Sequence, residues 1–381
     1  MILSFIFSLF VITNTNTNTN TNTNTNTNTN TNTNTNTNTN INTNANVITN
    51  ANVITNANVI TNANIYHSYN QHPMIISHRG ASGYIPEHSI PAYQLAMDLN
   101  TNYIEPDLCL SKDGVFVALH DLLLDDTTDI ASYPQYSNRK RTQQVDGETL
   151  SGYFVSDFTI SELKQLRVNQ RLVQRTQIYN SLFEIPTLDE IINLVQLQYN
   201  KTGILYGIFP ELKHPSYFTS LGFNMEDMLL EQLSTYEIYN NINKSSLIQY
   251  PIVIQCFDEN TLVSLKNKTD IPLILLVDTN DIWNTEYLTN ISAFANGIGP
   301  NKKILNHKKI QMAHNANLQV YPWTFRADSD IGPQFNNSFE DEELYYICCL
   351  GVDGLFTEFP DRTRETINNS DFKCDKLVCL V

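Results

Sequence analysis

Residues 74–110 read MIISHRGASGYIPEHSIPAYQLAMDLNTNYIEPDLCL, and the order of apolar and polar residues in this stretch decides the fold. Residues 74–77 form a short apolar strand. Ser89 follows as a helix N-cap with Pro91 just inside it, which opens a helix running to about Asn100. Residues 103–110 read as a second strand. Asp113-Gly114 is a turn, after which residues 115–119 resume the strand pattern. Strand, helix and strand in close succession are the unit from which parallel sheets are built.

The same alternation continues downstream. A helix over residues 188–198 precedes a strand over 204–211. Buried-type strands are expected at 251–257 and 272–277, and further strands at 319–325 and 354–359. Helical stretches such as 226–236 and 339–350 separate most of them. No Gly-x-Gly-x-x-Gly follows the first strand, which argues against a dinucleotide-binding sheet. About eight such units over some three hundred residues fit an α/β fold of the closed (β/α)8 TIM-barrel type. Residues 122–180 break the alternation. They are polar and rich in Tyr, Gln and Arg, and are expected to form a small inserted region over the mouth of the barrel.

The N-terminal part is different in kind. Residues 2–12 form an apolar run too short for a bilayer span, which needs about 20 residues, and of the length of a signal peptide. Residues 14–65 are a Thr/Asn repeat followed by copies of Val-Ile-Thr-Asn-Ala-Asn. They offer almost nothing to bury and are expected to be a disordered, low-complexity tract. The expected organisation is therefore a signal peptide over 1–13, the Asn/Thr tract over 14–65 and the barrel over 70–381. Asn-x-Ser/Thr acceptor sites begin at Asn200, Asn243, Asn267, Asn290, Asn336 and Asn368, which agrees with a secreted chain or one in the secretory lumen.

The chain carries 39 acidic and 23 basic residues, a formal net charge of −16. Such a chain repels nucleic-acid phosphates and anionic membrane surfaces, so no nucleic-acid partner is expected, and with the apolar run too short to span a bilayer no integral membrane segment is expected either. There are six cysteines in the chain. Cys109 and Cys256 lie in apolar strand-like runs and read as core thiols. Cys374 and Cys379 are close enough in sequence to pair in an oxidising compartment, and no cysteine spacing resembles a zinc site.

In a barrel, chemistry gathers at the C-terminal ends of the strands. The polar residues there are His78-Arg79, Glu105-Pro106-Asp107, His120-Asp121 and Glu211-Leu212-Lys213. Glu105 and Asp107 are two apart on a strand and point to one face. Two carboxylates side by side inside a barrel repel unless something neutralises them. With Glu211 they describe a site for one hard divalent cation, Ca2+ or Mg2+, rather than zinc. His78 and His120 suit general acid–base work near neutral pH. Arg79 and Lys213 suit phosphate oxygens. Trp323 and Phe325, two apart on the seventh strand, with Phe257 and Phe359 near other strand ends, are candidates for an apolar wall against the substrate.

The residues as they stand resemble a known family. Residues 76–89 look like the opening motif of the glycerophosphodiester phosphodiesterases, 103–108 like the second and 118–121 like the third. Residues 210–213 and 353–361 resemble two later segments, and the likeness spans about residues 74–366 in order. The resemblance is to periplasmic or secreted members with an insertion after the third motif. It implies a metal held by Glu105, Asp107 and Glu211, with His78 and His120 as the acid–base pair. It also implies hydrolysis of small glycerophosphodiesters to an alcohol and sn-glycerol 3-phosphate. His88 stands where asparagine is also common, and Pro106 where another residue is frequent. Two other readings stay open: a lysophospholipase D-type hydrolase, and a catalytically silent barrel acting as a secreted binding protein. Neither the head group, the oligomeric state nor the nucleophile, a water or the glycerol 2-hydroxyl, is set by the sequence.

Overall fold

In the computed structural model, which describes residues 73–236, 252–369 and 374, the apolar run Met74–His78 forms β1, buried along its whole length. Helix α1 (Ile90–Asp98) starts where expected, with Ser89 Oγ accepting from the Ala92 amide. The second strand is divided at Pro106 into β2 (Tyr103–Glu105) and β3 (Asp107–Leu110), and β4 (Phe116–Ala118) folds back antiparallel on β3. The inserted stretch holds the hairpin β5 (Arg141–Val145) and β6 (Glu148–Gly152), several 3-10 turns and the short helix α2 (Ile160–Leu163). Helix α3 (Leu188–Thr202) has a Thr187/Glu190 capping box and stops at left-handed Gly203.

The third strand is also divided by a proline, Pro210, into β7 (Gly207–Ile208) and β8 (Glu211–Leu212). It begins three residues later than expected. The elements α4 (Pro215–Ser220), α5 (Met225–Ser234), β9 (Ile254–Cys256), α6 (Glu259–Lys266), β10 (Leu273–Val277) and α7 (Thr285–Ile291) follow. After β11 (Gly297–Pro300) come α8 (His307–Asn315), β12 (Gln319–Val320) and α9 (Phe339–Leu344), the last running into a π turn over Tyr345–Leu350. Strand β13 (Gly354–Thr357) and α10 (Pro360–Asn368) complete the described elements.

Pairing is parallel in the order β13–β1–β2–β7 and again from β3 through β8, β9, β10 and β11 to β12. The two prolines have no N–H to give, yet both carbonyls accept: Glu211 N donates to Pro106 O, and Gln255 N to Pro210 O, each at 2.9 Å. Hydrogen bonding therefore passes from the first run of strands to the second. Asp353 N donates to Val320 O (3.0 Å) and Phe356 N to Pro322 O (3.1 Å), which closes the ring. The result is a (β/α)8 barrel, with β1, β2–β3, β7–β8, β9, β10, β11, β12 and β13 as its staves. Inside it, Met74, Ile76, Tyr103, Phe209, Val253, Ile274, Tyr321 and Phe356 form a separate buried cluster. The larger apolar cluster packs the helices and inserted region against the outside.

Strand β11 is absent from the sequence expectation because Gly-Ile-Gly-Pro carries no strand-like side-chain pattern. The structure shows why the glycine is there. A Cβ on Gly297 would sit 2.6 Å from Gln319 O of the adjoining strand. Cysteine pairing also differs from the expectation. Cys374 bonds to Cys348 on the π turn (Cα–Cα 5.3 Å), 26 residues before it, and so is not paired with Cys379. Cys109 and Cys256 are buried and free, as expected. The leader, the Asn/Thr tract, Asn243 and Cys379 lie outside the described residues. No described helix is long and apolar enough to cross a membrane.

Gly297→Ala is expected to destabilise the barrel by about 1–3 kcal/mol, because the added methyl meets backbone that can move only with its strand. A thermal denaturation midpoint equal to the parent's would show that β11 and β12 are not packed as tightly as described.

Candidate active site

Strand periodicity builds the site. Two residues beyond five of the eight apolar residues at the barrel axis stands a polar one: Ile76 leads to His78, Tyr103 to Glu105 and then Asp107, Phe209 to Glu211 and then Lys213, Val253 to Gln255, and Phe356 to Glu358. All of these polar residues are buried. A cavity of about 230 Å3 is lined by His78, Arg79, Glu105, His120, Glu211, Lys213, Gln255, Trp323 and Glu358's partner Arg326, among others.

The ligand atoms of Glu105, Asp107 and Glu211 lie within 4.8 Å of one another. Burial, then Asp107 and Glu211, push the Glu105 carboxyl well above the usual range. Burial pushes Glu211 up to about 8 despite the Lys213 ammonium, 2.8 Å from its Oε1. Burial acts on Asp107 in the same sense, but Lys213, Arg79 and a hydrogen bond from His88 outweigh it and hold that carboxyl well below its usual range. The three therefore do not all ionise without a further positive charge. Gln255 Nε2 donates to Glu105 Oε1 (2.8 Å), while its buried Oε1 has no hydrogen-bond partner. An all-oxygen donor set with an unpaired amide oxygen beside it fits a hard divalent cation.

Arg79 takes a left-handed backbone (φ 61°) and Gly80 another (φ 86°). A Cβ on Gly80 would meet the Ala92 carbonyl carbon at 2.7 Å. This turn brings the Arg79 amide onto Glu105 Oε2 (2.9 Å), its Nε to 3.2 Å from Asp107 Oδ2 and its Nη1 to 3.0 Å from Glu87 Oε1. His78 Nδ1 is 3.0 Å from Glu358 Oε1, and His120 Nδ1 is 2.6 Å from Asp121 Oδ1. When each Nδ1 donates to its carboxylate, Nε2 is left to exchange protons. Burial, followed by Arg79, pulls His78 down to about 4, and burial with Arg79 and Lys213 pulls His120 down to about 3. Both imidazoles are neutral at pH 7.

The structure thus gathers His78, Arg79, Glu105, Asp107, His120, Glu211, Lys213 and Trp323 at one end of the barrel. It places Phe325 elsewhere, fully buried under Lys302 and against Tyr346 (5.0 Å), so Phe325 is not part of the cavity wall. The regular strand ends at Val320, and period two does not extend to Phe325. The aromatic beside Trp323 is Phe257, another of the wall candidates, edge-on at 6.0 Å. Sequence reasoning assigned no role to Glu87, His88, Asp121, Gln255 or Glu358. The strand phase points to Gln255 and Glu358. The site also takes Arg171 and Arg175 from the inserted region, which no local pattern marks.

Comparisons with known proteins agree with this geometry. The model of the glycerophosphoryl diester phosphodiesterase family matches residues 78–362. A glycerophosphodiester phosphodiesterase of Arabidopsis thaliana is 36% identical over 315 residues, covering 75% of this chain and 84% of that one. One from Haemophilus influenzae is 30% identical over 340 residues, covering 76% and 88%. Among solved structures, an Oleispira antarctica phosphodiesterase in complex with the product sn-glycerol-3-phosphate shares the fold, with a TM-score of 0.54, 22% identity and coverage of 79% of this chain and 98% of that one. A Silicibacter pomeroyi structure of the same family name has a TM-score of 0.58 at 19% identity, covering 78% and 94%. With the matched residues framing both histidines and the carboxylate cluster, the chain belongs to the glycerophosphoryl diester phosphodiesterase family and is a phosphoric diester hydrolase.

Proposed function

We propose that this protein is a secreted enzyme that hydrolyses small glycerophosphodiesters to an alcohol and sn-glycerol 3-phosphate, with one Ca2+ or Mg2+ held by Glu105, Asp107 and Glu211. The observation that carries the reading is two histidines, each anchored through Nδ1 by its own carboxylate, opening on a cavity lined by Glu105 and Glu211 of the buried three-carboxylate cluster. When bound, the cation supplies positive charge for the phosphate oxygens and relieves the repulsion among its ligands.

The chain's own residues do the rest. Arg79 and Lys213 present guanidinium and ammonium groups to the diester anion, and Glu87 and Glu211 hold them in place. Neutral His78 and His120 serve as base and acid. One Nε2 takes the proton of the nucleophile, either a water or the glycerol 2-hydroxyl, the latter giving a cyclic phosphate that a water then opens. The other takes up a proton from solvent as the phosphate anion arrives beside it and gives that proton to the departing alkoxide as its P–O bond breaks. Glu358 and Asp121 hold the rings and stabilise an imidazolium as it forms. Trp323, its Nε1 tied to Gly299 O (2.6 Å), and the half-exposed Phe257 offer apolar surface to the glycerol carbons. Export is supported by the acceptor asparagines at 200, 267, 290, 336 and 368, all exposed, and by the Cys348–Cys374 disulfide.

Removal of divalent ions with a chelator is expected to arrest release of glycerol 3-phosphate from glycerophosphocholine, and re-addition to restore it. Glu105→Ala, Asp107→Ala and Glu211→Ala each weaken divalent binding, measured by calorimetry. Unchanged affinity in all three would remove the metal assignment.

His78→Ala and His120→Ala are each expected to lower kcat by roughly 10²–10⁴ while leaving metal affinity nearly intact. The parent's kcat follows a bell against pH. Its acid limb falls as the base takes up a proton, its alkaline limb falls as the acid loses one, and each alanine variant loses a limb. A variant with parental kcat shows that histidine to be structural.

Produced through a secretory pathway, the protein is expected to shift to lower mass on treatment with an N-glycosidase. A secreted product that shows no shift would refute the glycoprotein reading.

A further inference from the structure

Two arginines four residues apart, Arg171 and Arg175, lie on one turn at the end of the inserted region. Each reaches a different carboxylate of the site. Arg171 Nη2 is 2.7 Å from Asp121 Oδ2, and Asp121 holds His120. Arg175 Nη2 is 2.5 Å from Glu358 Oε2, and Glu358 holds His78. Each arginine also has a second anchor. Arg171 grips Glu87 with two hydrogen bonds, Nε to Oε2 at 2.7 Å and Nη2 to Oε1 at 2.8 Å. Arg175 grips Asp328 in the same bidentate manner (2.7 and 3.0 Å) and donates from Nη1 to Ser82 O at 3.0 Å. Its side chain is only 5% exposed.

We propose that this turn is a positioning element that sets both histidines at once, Arg171 through Asp121 and Arg175 through Glu358. The proposal rests on the acid–base roles given to His78 and His120. The geometry favours it over simple attachment of the insertion to the barrel. A carboxylate with one oxygen on an imidazole and the other paired with an anchored guanidinium is restrained, by a hydrogen bond at Glu358 and by an ion pair at Asp121, and so restrains the ring it holds. Planar, bidentate arginine forks suit that task, and lysine does not reproduce them. The insertion has other ion pairs available for attachment alone, such as Lys164 with Glu190. None of the described ones besides those of Arg171 and Arg175 touches a residue that bonds a catalytic histidine. Neither arginine is among the residues that line the cavity.

The test is steady-state kinetics on the full chain with its divalent ion, using Arg171→Met, Arg175→Met, Glu358→Gln, Asp121→Asn and the pairs Arg175→Met/Glu358→Gln and Arg171→Met/Asp121→Asn. Lys164→Met serves as the control in the same insertion, with His78→Ala and His120→Ala alongside. Each arginine variant is expected to lose about 10–100-fold in kcat, the usual effect of an outer-shell partner. KM stays near the parent's for Arg175→Met, and rises for Arg171→Met because Glu87 also holds Arg79. Lys164→Met keeps the parental kcat. In each pair the arginine substitution adds little to the loss already caused by the carboxylate substitution, because the two act along one path. Parental kcat in a folded arginine variant, or losses that multiply in the pairs, would overturn the proposal. Should a methionine variant fail to fold, Arg171→Lys and Arg175→Lys carry the same comparisons, since they keep the charge and lose the fork. Full activity in His78→Ala or His120→Ala would instead sink the functional reading, which separates the two failures.

Discussion

Repulsion among Glu105, Asp107 and Glu211 is the constraint around which the mouth of this barrel is arranged. Their ligand atoms lie within 4.8 Å of one another and the residues are buried. At an effective dielectric constant near 20, two like charges at that distance cost about 3–4 kcal/mol. A stability margin of about 5–15 kcal/mol does not absorb three such pairs without compensation. The neighbourhood compensates in part: Lys213 sits on Glu211, and Arg79 lies between Asp107 and Glu87. What remains uncompensated is visible in the carboxyls of Glu105 and Glu211, both pushed upward. A metal ion held by the three would complete the balance, and would bring the charge that a phosphodiester anion needs.

The backbone meets this constraint with two prolines. Period two places Glu105 and Asp107 on the inner face with Pro106 between them, and Phe209 and Glu211 likewise flank Pro210. Proline inside a central strand is ordinarily unfavourable because it removes a ladder donor. Here both prolines still accept from the next stave, so the ring of hydrogen bonds survives. Below them Tyr103 and Phe209 pack edge to face at 5.6 Å, and Phe209 meets Tyr321 and Phe356 at 6.0 and 5.4 Å. The rigid aromatic floor fixes where the polar layer stands.

This layering explains what the sequence could and could not reveal. Alternation of apolar strands with amphipathic helices announced the barrel, and carboxylates two apart on a strand announced the inner-face cluster. Strand β11 stayed hidden because its two glycines are required by the close approach of neighbouring strands and leave no hydrophobic pattern. Phe325 was misplaced because the alternation that carries Tyr321 and Trp323 inward ends before it. Gln255 and Glu358 were within reach, since each lies two residues beyond an apolar residue of the axial cluster. Arg171 and Arg175 were not. Their partners Glu87 and Glu358 are 84 and 183 residues away, and nothing local distinguishes these arginines from the others in a polar insertion.

That last gap follows from barrel geometry. Each stave offers only one or two inward positions at the mouth; around the cluster they are taken by the carboxylates, His78, Lys213 and Gln255, and on the other side by residues such as Leu276 and Trp323. Support for the histidines must then come from strand ends and from outside the sheet. Glu358 and Asp121 provide the first support, one just beyond β13 and the other just beyond β4. Both are buried or half-buried acids that would themselves be costly without a counter-charge. Arginine from a long insertion supplies that charge with a geometry the strands cannot offer, approaching across the mouth rather than along it. The inserted region is therefore continuous with the chemistry of the site, and its arginines extend by one further shell the charge alternation that begins at Glu105, Asp107 and Glu211.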